Sequence, residues 1–159
     1  RESLHVATLL KSVVASAHVD EARFSPAEFT MNCAEELLFP LDWLEIKTAL
    51  LEMMDNSRAM KPAGELLEIA LEAHCDHSSP SRTLILTVRD NGPGVAPECR
   101  GKIYVPFYSD RPNTEASSGL GLSVVARIVE AHGGAIRLAP DQGMGATFIL
   151  EIPDNPSPL

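Results

Sequence analysis

Residues 82–95 read RTLILTVRDNGPGV, and the way this stretch is read decides the fold. From Thr83 to Val88 apolar and polar residues partly alternate, the period of a half-buried strand. The strand then delivers a carboxylate, Asp90, into two glycines and a proline. A plain turn needs only one or two such residues. Gly92 and Gly94 around an acid point to a backbone that something approaches closely, with Asp90 placed to receive hydrogen bonds.

Upstream, ELLEIALEA (65–73) alternates Leu67, Ile69, Leu71 and Ala73 with Glu68, Ala70 and Glu72. The pattern is ambiguous with a helix, but Pro62 and Gly64 stand just before it as breakers. With the polar loop HCDHSSPS (74–81) between the two runs, a β-hairpin is predicted. Before it, WLEIKTALLEMMDNSRAM (43–60) carries an apolar stripe through Trp43, Ile46, Leu50 and Met54, which predicts a core-facing helix capped by Asp42. FPLD (39–42) reads as a connector, and EFTMNCA (28–34) as a half-buried strand. SLHVATLLKSVVASAH (3–18) reads as a helix with Ser3 at its N-cap.

Downstream, PECRGKIYVPF (97–107) is short and irregular, and YSDRPNTEASS (108–118) has no apolar periodicity and reads as a mobile loop. GLGLSVVARIVEAH (119–132) predicts a helix with Leu122, Val125, Ala126 and Val129 on one face, stopped by Gly133 and Gly134. A closing hairpin, GAIRLAPDQGMGATFILEI (134–152), follows, and residues 153–159 read as a disordered tail. Helices fall between strands without strict alternation. The expected fold is therefore a two-layer α/β sandwich, a mixed and mostly antiparallel sheet covered on one face by helices, in a single domain over residues 1–152.

At 159 residues and 45% hydrophobic composition the chain can bury one real core. A net charge of −9 argues against nucleic acid, and against direct contact with an anionic membrane, as partners. An acidic protein still binds a polyphosphate if backbone N–H groups, a helix N-terminus and a metal ion meet it. No run of 18 apolar residues occurs, and no stretch of these residues reads as a signal peptide. Cys33, Cys75 and Cys99 are odd in number and widely spaced, which fits a reducing compartment. Beginning at Arg1, the chain reads as a piece of something longer.

Four stretches can carry chemistry. Glu52 and Asn56 lie four apart on one helix face, where a carboxylate and an amide can orient a nucleophile and hold a hard cation; spacing alone equally fits a solvated face. Asp90 with Gly92 and Gly94 is the second, with a tight turn as the plainer reading. GLGL, Gly119 to Leu122, is the third: it opens a helix, exposing N–H groups and the positive dipole end to phosphate, yet lacks the Gly-Lys-Ser/Thr ending of a Walker loop. GMGATF (143–148) by itself is a hairpin turn and a strand.

In order and together, these stretches resemble the ATP-binding domain shared by sensor histidine kinases, DNA gyrase, mismatch-repair ATPases and heat-shock chaperone ATPases (the Bergerat-type fold). LLEMMDNSRA is similar to the family's N box, DNGPGV to its first glycine box and VPFYSDRP to its phenylalanine box. GLGLSVVARIVEAHGGAIRL is similar to the second glycine box and GMGATFILEI to the last. The long second box with EAHGG resembles that of two-component sensor histidine kinases in particular.

The resemblance implies ATP and Mg²⁺ as ligands. Asp90 would accept the exocyclic amine of adenine, Gly92 and Gly94 would let the backbone close over the base, and Thr147 would help fix it through water. Asn56 would coordinate Mg²⁺. Residues 108–118 would form an ATP lid whose end, at Gly119, Leu120, Gly121 and Leu122, folds over the phosphates, with Arg111 reaching one of them. The phosphate would pass to a histidine on a separate dimerisation domain, and from there to a response regulator. The domain would be cytoplasmic, with a parent compatible with a membrane anchor.

Two positions depart from the pattern. Sensor kinases typically carry Asn or His at Glu52; a glutamate there is found in gyrase-like ATPases and in serine kinases that restrain sigma factors, and makes Glu52 either a candidate general base or a carboxylate that faces the Mg²⁺ site and tunes affinity only. Ser57 stands where many kinases have Ala. A stand-alone serine kinase and a nucleotide-binding pseudokinase are the alternatives. His74, Cys75, Asp76 and His77 are too tightly spaced to converge on one metal ion.

Overall fold

The computed structural model describes residues 2–19, 26–61, 64–78, 81–108, 119–140 and 145–154. The elements run β1 (Glu2–His5), α1 (Val6–Val19), β2 (Ala27–Cys33), β3 (Leu38–Leu41), α2 (Trp43–Met60), β4 (Leu67–Asp76), β5 (Thr83–Asp90), α3 (Gly121–Ala131), β6 (Ala135–Leu138) and β7 (Thr147–Pro153). The predicted hairpin forms: β4 and β5 pair antiparallel, with Leu71 opposite Val88 and Ile69 opposite Asp90. Five strands make one sheet in the order β2-β4-β5-β7-β6. The edge strand β2 runs parallel to β4, and the other pairs are antiparallel. This is the mixed, mostly antiparallel sheet of the expected two-layer sandwich.

The period of two along each strand puts one row of side chains inward. Leu67, Ile69 and Leu71 of β4, Leu84, Leu86 and Val88 of β5, and Phe148, Leu150 and Ile152 of β7 are all buried. Against them lie Leu9, Leu10 and Val13 of α1, Ile46, Leu50 and Met54 of α2, and Val125 and Val129 of α3. Each fully buried Leu or Ile contributes roughly 1.5–3 kcal/mol. The opposite face carries Glu68, Glu72, His74 and Arg89 in solvent. Burial of one row and exposure of the other fixes the register, because a one-residue slip would exchange the two.

Asp42 caps α2 as expected, accepting from the Glu45 N–H at 3.0 Å. Ser3 does not cap α1. It lies in β1, which pairs antiparallel with β3 to make a second, two-stranded sheet, with Ser3 opposite Pro40. The connector expected at residues 39–42 is mostly that strand, and Phe39 and Leu41 are buried within it. Two four-residue strands, one containing a proline, leave too short a pattern for periodicity to register. β4 also continues through His74, Cys75 and Asp76, so these lie in a strand rather than a loop; among the described residues no three His, Cys, Asp or Glu side chains gather as a metal would need. At the C-terminal end, β7 runs to Pro153, and the Asp154 N–H donates to the Arg82 carbonyl at 2.7 Å while its carboxylate accepts from the Arg82 guanidinium. Pro153 and Asp154, expected in the tail, are thus joined to the sheet, and residues 155–159 lie outside the described residues.

Candidate active site

Strand alternation explains a buried acid. Asp90 is the last residue of β5 and shares the inward row with Leu84, Leu86 and Val88, so its carboxylate turns toward the helices and is only 8% exposed. A buried carboxylate must be hydrogen-bonded. Its Oδ1 accepts from the Gly92 N–H at 2.9 Å and the Ala146 N–H at 3.2 Å, and its Oδ2 from the Ser57 hydroxyl at 2.7 Å. Neighbouring Asn91 serves the fold instead. Its side chain accepts from the Glu68 N–H at 3.0 Å and donates to the Leu66 carbonyl at 3.2 Å, which carries the β4–β5 pairing one step beyond the strand.

This accounts for the glycines after the acid. A side chain on Gly92 would stand 2.9 Å from Asp90 Oδ1, in the place the carboxylate occupies. Gly94, at φ +78°, packs against the backbone of Gly145, which at φ +92° presses directly on the Asp90 carbonyl. We expect Gly145→Ala to lower unfolding stability by about 3 kcal/mol or more in chemical denaturation, since a Cβ there meets backbone that cannot yield and the φ is unfavourable besides.

Asp90 lines a cavity of about 180 Å³ between α2, α3 and the segment after β5. Val95, Ile103, Met60 and Leu122 supply apolar wall, and Glu52 and Asn56 also line it, with Glu52 five residues, about 7.5 Å along the axis of α2, before Ser57. Helical spacing places these two one turn apart on α2, beside Asp55, with both half-buried. Glu52 reaches the first residue of α3: a Cβ on Gly121 would lie 3.0 Å from Glu52 Oε2. Leu120, the N-cap of α3, provides no side-chain cap. The positive end of that helix dipole therefore opens at the acidic and amide side chains. Apolar wall, a buried acceptor, and a helix N-terminus beside oxygen donors are the kinds of group a nucleotide with its phosphates requires. The oxygens of Glu52 and Asn56 are hard donors of the kind Mg²⁺ takes.

Of the expected site residues, Glu52, Asn56, Asp90, Gly94, Gly119, Gly121 and Leu122 line this cavity. Gly92 acts through its N–H on Asp90, and Leu120 serves as the N-cap of α3. Thr147 is a correction. The β7 alternation that turns Phe148 inward turns Thr147 to the other face of the sheet, where it lines a separate cavity with Thr87 and Arg89. Ala146 lines the first cavity in its stead. Arg111 and residues 109–118 of the expected lid lie outside the described residues. Ser57, Ala146 and Cys99 also line the cavity without having been expected there; Ser57 was legible as a departure, while Cys99 is buried in the wall.

Residues 42–156 match the family described as Histidine kinase-, DNA gyrase B-, and HSP90-like ATPase. Sensor protein ChvG of Rhizobium meliloti (strain 1021) is 45% identical over 82 residues, covering 46% of this chain and 14% of that protein. Sensor protein SrrB of Staphylococcus aureus (strain NCTC 8325 / PS 47) is 33% identical over 128 residues, 78% of this chain and 21% of that protein. The chain thus spans about a seventh to a fifth of the length of these relatives. Among solved structures, the nucleotide-free catalytic domain of histidine kinase ThkA superposes with a TM-score of 0.78 at 25% identity, over 98% of this chain and 96% of that one. With its family, its fold and its cavity in agreement, the chain belongs to the histidine kinase-, DNA gyrase B- and HSP90-like ATPases, as an ATP-binding domain of the sensor histidine kinase type.

Proposed function

We propose that this domain holds ATP with its adenine on Asp90 and its phosphates at the N-terminus of α3, and presents the γ-phosphate to a histidine on a separate dimerisation domain. The observation that carries the proposal is one cavity lined by the buried acceptor Asp90, by Glu52 and Asn56, and by Gly121 at the start of α3. An imidazole nitrogen attacks the γ-phosphorus, the bond to the β-phosphate oxygen breaks, and ADP leaves. Such a transfer needs chiefly positioning and neutralisation of charge. Mg²⁺, when bound through Asn56, supplies the neutralisation. Glu52, beside Gly121 at the start of α3, takes the proton from the incoming nucleophile. The phosphorylated histidine then serves a response regulator. Three free thiols at Cys33, Cys75 and Cys99 support a reducing, cytoplasmic setting. Among the described residues, no helix is long and apolar enough to cross a membrane.

The test is incubation with ATP, Mg²⁺ and a supplied histidine-bearing dimerisation domain. Acid-labile phosphate on that domain is the expected result. Acid-stable phosphoserine on another substrate would move the domain to the serine kinases, the reading Glu52 favours. ATP binding with no transfer to any acceptor would make it a nucleotide-controlled docking module.

A further inference from the structure

We infer that Ser57 sets the preference of this site for adenine, by holding the Asp90 carboxylate in the orientation from which it accepts an exocyclic amine. The inference rests on the nucleotide reading of the cavity above. Ser57 follows Met53 by four residues, and so falls on the buried face of α2, opposite the end of β5; it is 3% exposed and lines the cavity. Its hydroxyl has two acceptors in reach, the Met53 carbonyl at 3.2 Å and Asp90 Oδ2 at 2.7 Å. A hydroxyl carries one proton, and the shorter contact to a charged oxygen takes it.

The acceptor inventory of the carboxylate then becomes decisive. Two oxygens offer about four lone-pair sites. Gly92 and Ala146 take those of Oδ1, and Ser57 takes one on Oδ2. One site remains, on Oδ2, and it belongs to the ligand. Two of the three donors are backbone N–H groups, present whatever the side chains. Among the described residues Ser57 is the one side chain that donates to Asp90, so Ser57 decides where the remaining site points. No hydroxyl from β7 shares this task, because Thr147 faces the other side of the sheet and Ala146 stands beside Asp90.

With Ser57 in place, the remaining site accepts an amine and rejects a carbonyl, which favours adenine over guanine. Without it, Oδ2 has two open sites, can rotate, and can take a water. Such a water donates or accepts as the base demands, and the discrimination weakens.

The experiment is calorimetric titration of the wild-type and Ser57→Ala domains with ADP and with GDP. Alanine suits a helix, so the variant keeps α2 intact. ADP is expected to bind about tenfold more weakly to Ser57→Ala, the worth of one hydrogen bond to a charged group, with GDP affinity unchanged or higher. The ADP-over-GDP ratio therefore contracts by at least that factor, a change that mere loosening of the helix would not cause, since both nucleotides would then weaken together. If wild type prefers ADP and Ser57→Ala keeps the same ratio, the role of Ser57 is overturned and the nucleotide reading stands. A wild-type domain that binds neither nucleotide overturns both.

Discussion

Replacing Asp90 by Asn is expected to weaken ADP binding about a hundredfold, or about 2.7 kcal/mol, while leaving the domain folded. The reason lies in the donors that converge on this carboxylate. The Gly92 and Ala146 N–H groups meet Oδ1, so an asparagine keeps its carbonyl oxygen there. Its amide nitrogen then occupies the place of Oδ2, beside the Ser57 hydroxyl, which can turn to accept. The fold thus loses little, and unfolding temperatures of the two proteins should lie within a few degrees, as expected for about 1 kcal/mol or less in a domain of this size. The cavity, however, now presents a donor where adenine brings a donor of its own. That pair cannot bond, and both groups are left desolvated and unpaired. Calorimetry with ADP on both proteins measures the loss. An affinity within about threefold of wild type would remove Asp90 from base recognition.

Glu52→Gln separates chemistry from binding. Phosphoryl transfer is expected to fall about a hundredfold or more, the usual contribution of a positioned base. ADP affinity should stay within about threefold, because Glu52 stands against Gly121, while the Asp90 carboxylate is bonded to Ser57, five residues further along α2. Glutamine keeps the length and shape of the side chain that packs against Gly121, so the start of α3 is undisturbed. What it lacks is the ability to take a proton from the nucleophile. Single-turnover transfer from ATP to the histidine domain measures this. Unchanged transfer would leave Glu52 as a carboxylate beside the metal site. A fall in transfer matched by an equal fall in Mg²⁺-dependent nucleotide affinity would make it a ligand rather than a base.

Much of this molecule was legible before its structure. The hairpin of β4 and β5, the apolar stripe of α2 and its Asp42 cap, and the face of α3 all follow from periods of two and 3.6 sustained over enough residues to register. β1 and β3 did not register, because four residues around Pro40 leave almost no period to detect and their pairing spans a long stretch of chain. The i,i+4 spacing of Glu52 and Asn56 placed both on one helix face, and the glycines around Asp90 marked a close approach of backbone.

The error at Thr147 shows where local reading ends. A motif fixes which residues are near in sequence, but the sheet decides which of two neighbours faces the site. Phe148 anchors the inward row of β7, so Ala146 joins it and Thr147 is turned away. Ser57 makes the same point in reverse: as a residue type it was only a departure from a pattern. It became the third donor to Asp90 when the packing of α2 over β5 brought together residues 33 positions apart. The sequence by itself determined the longer elements, the fold class and the kinds of chemistry available, because periodicity and motif spacing are local properties. Which side chains complete the acceptor at Asp90 was decided only by tertiary structure, because hydrogen bonds of this kind need approach within about 3 Å, and only packing brings distant segments so close.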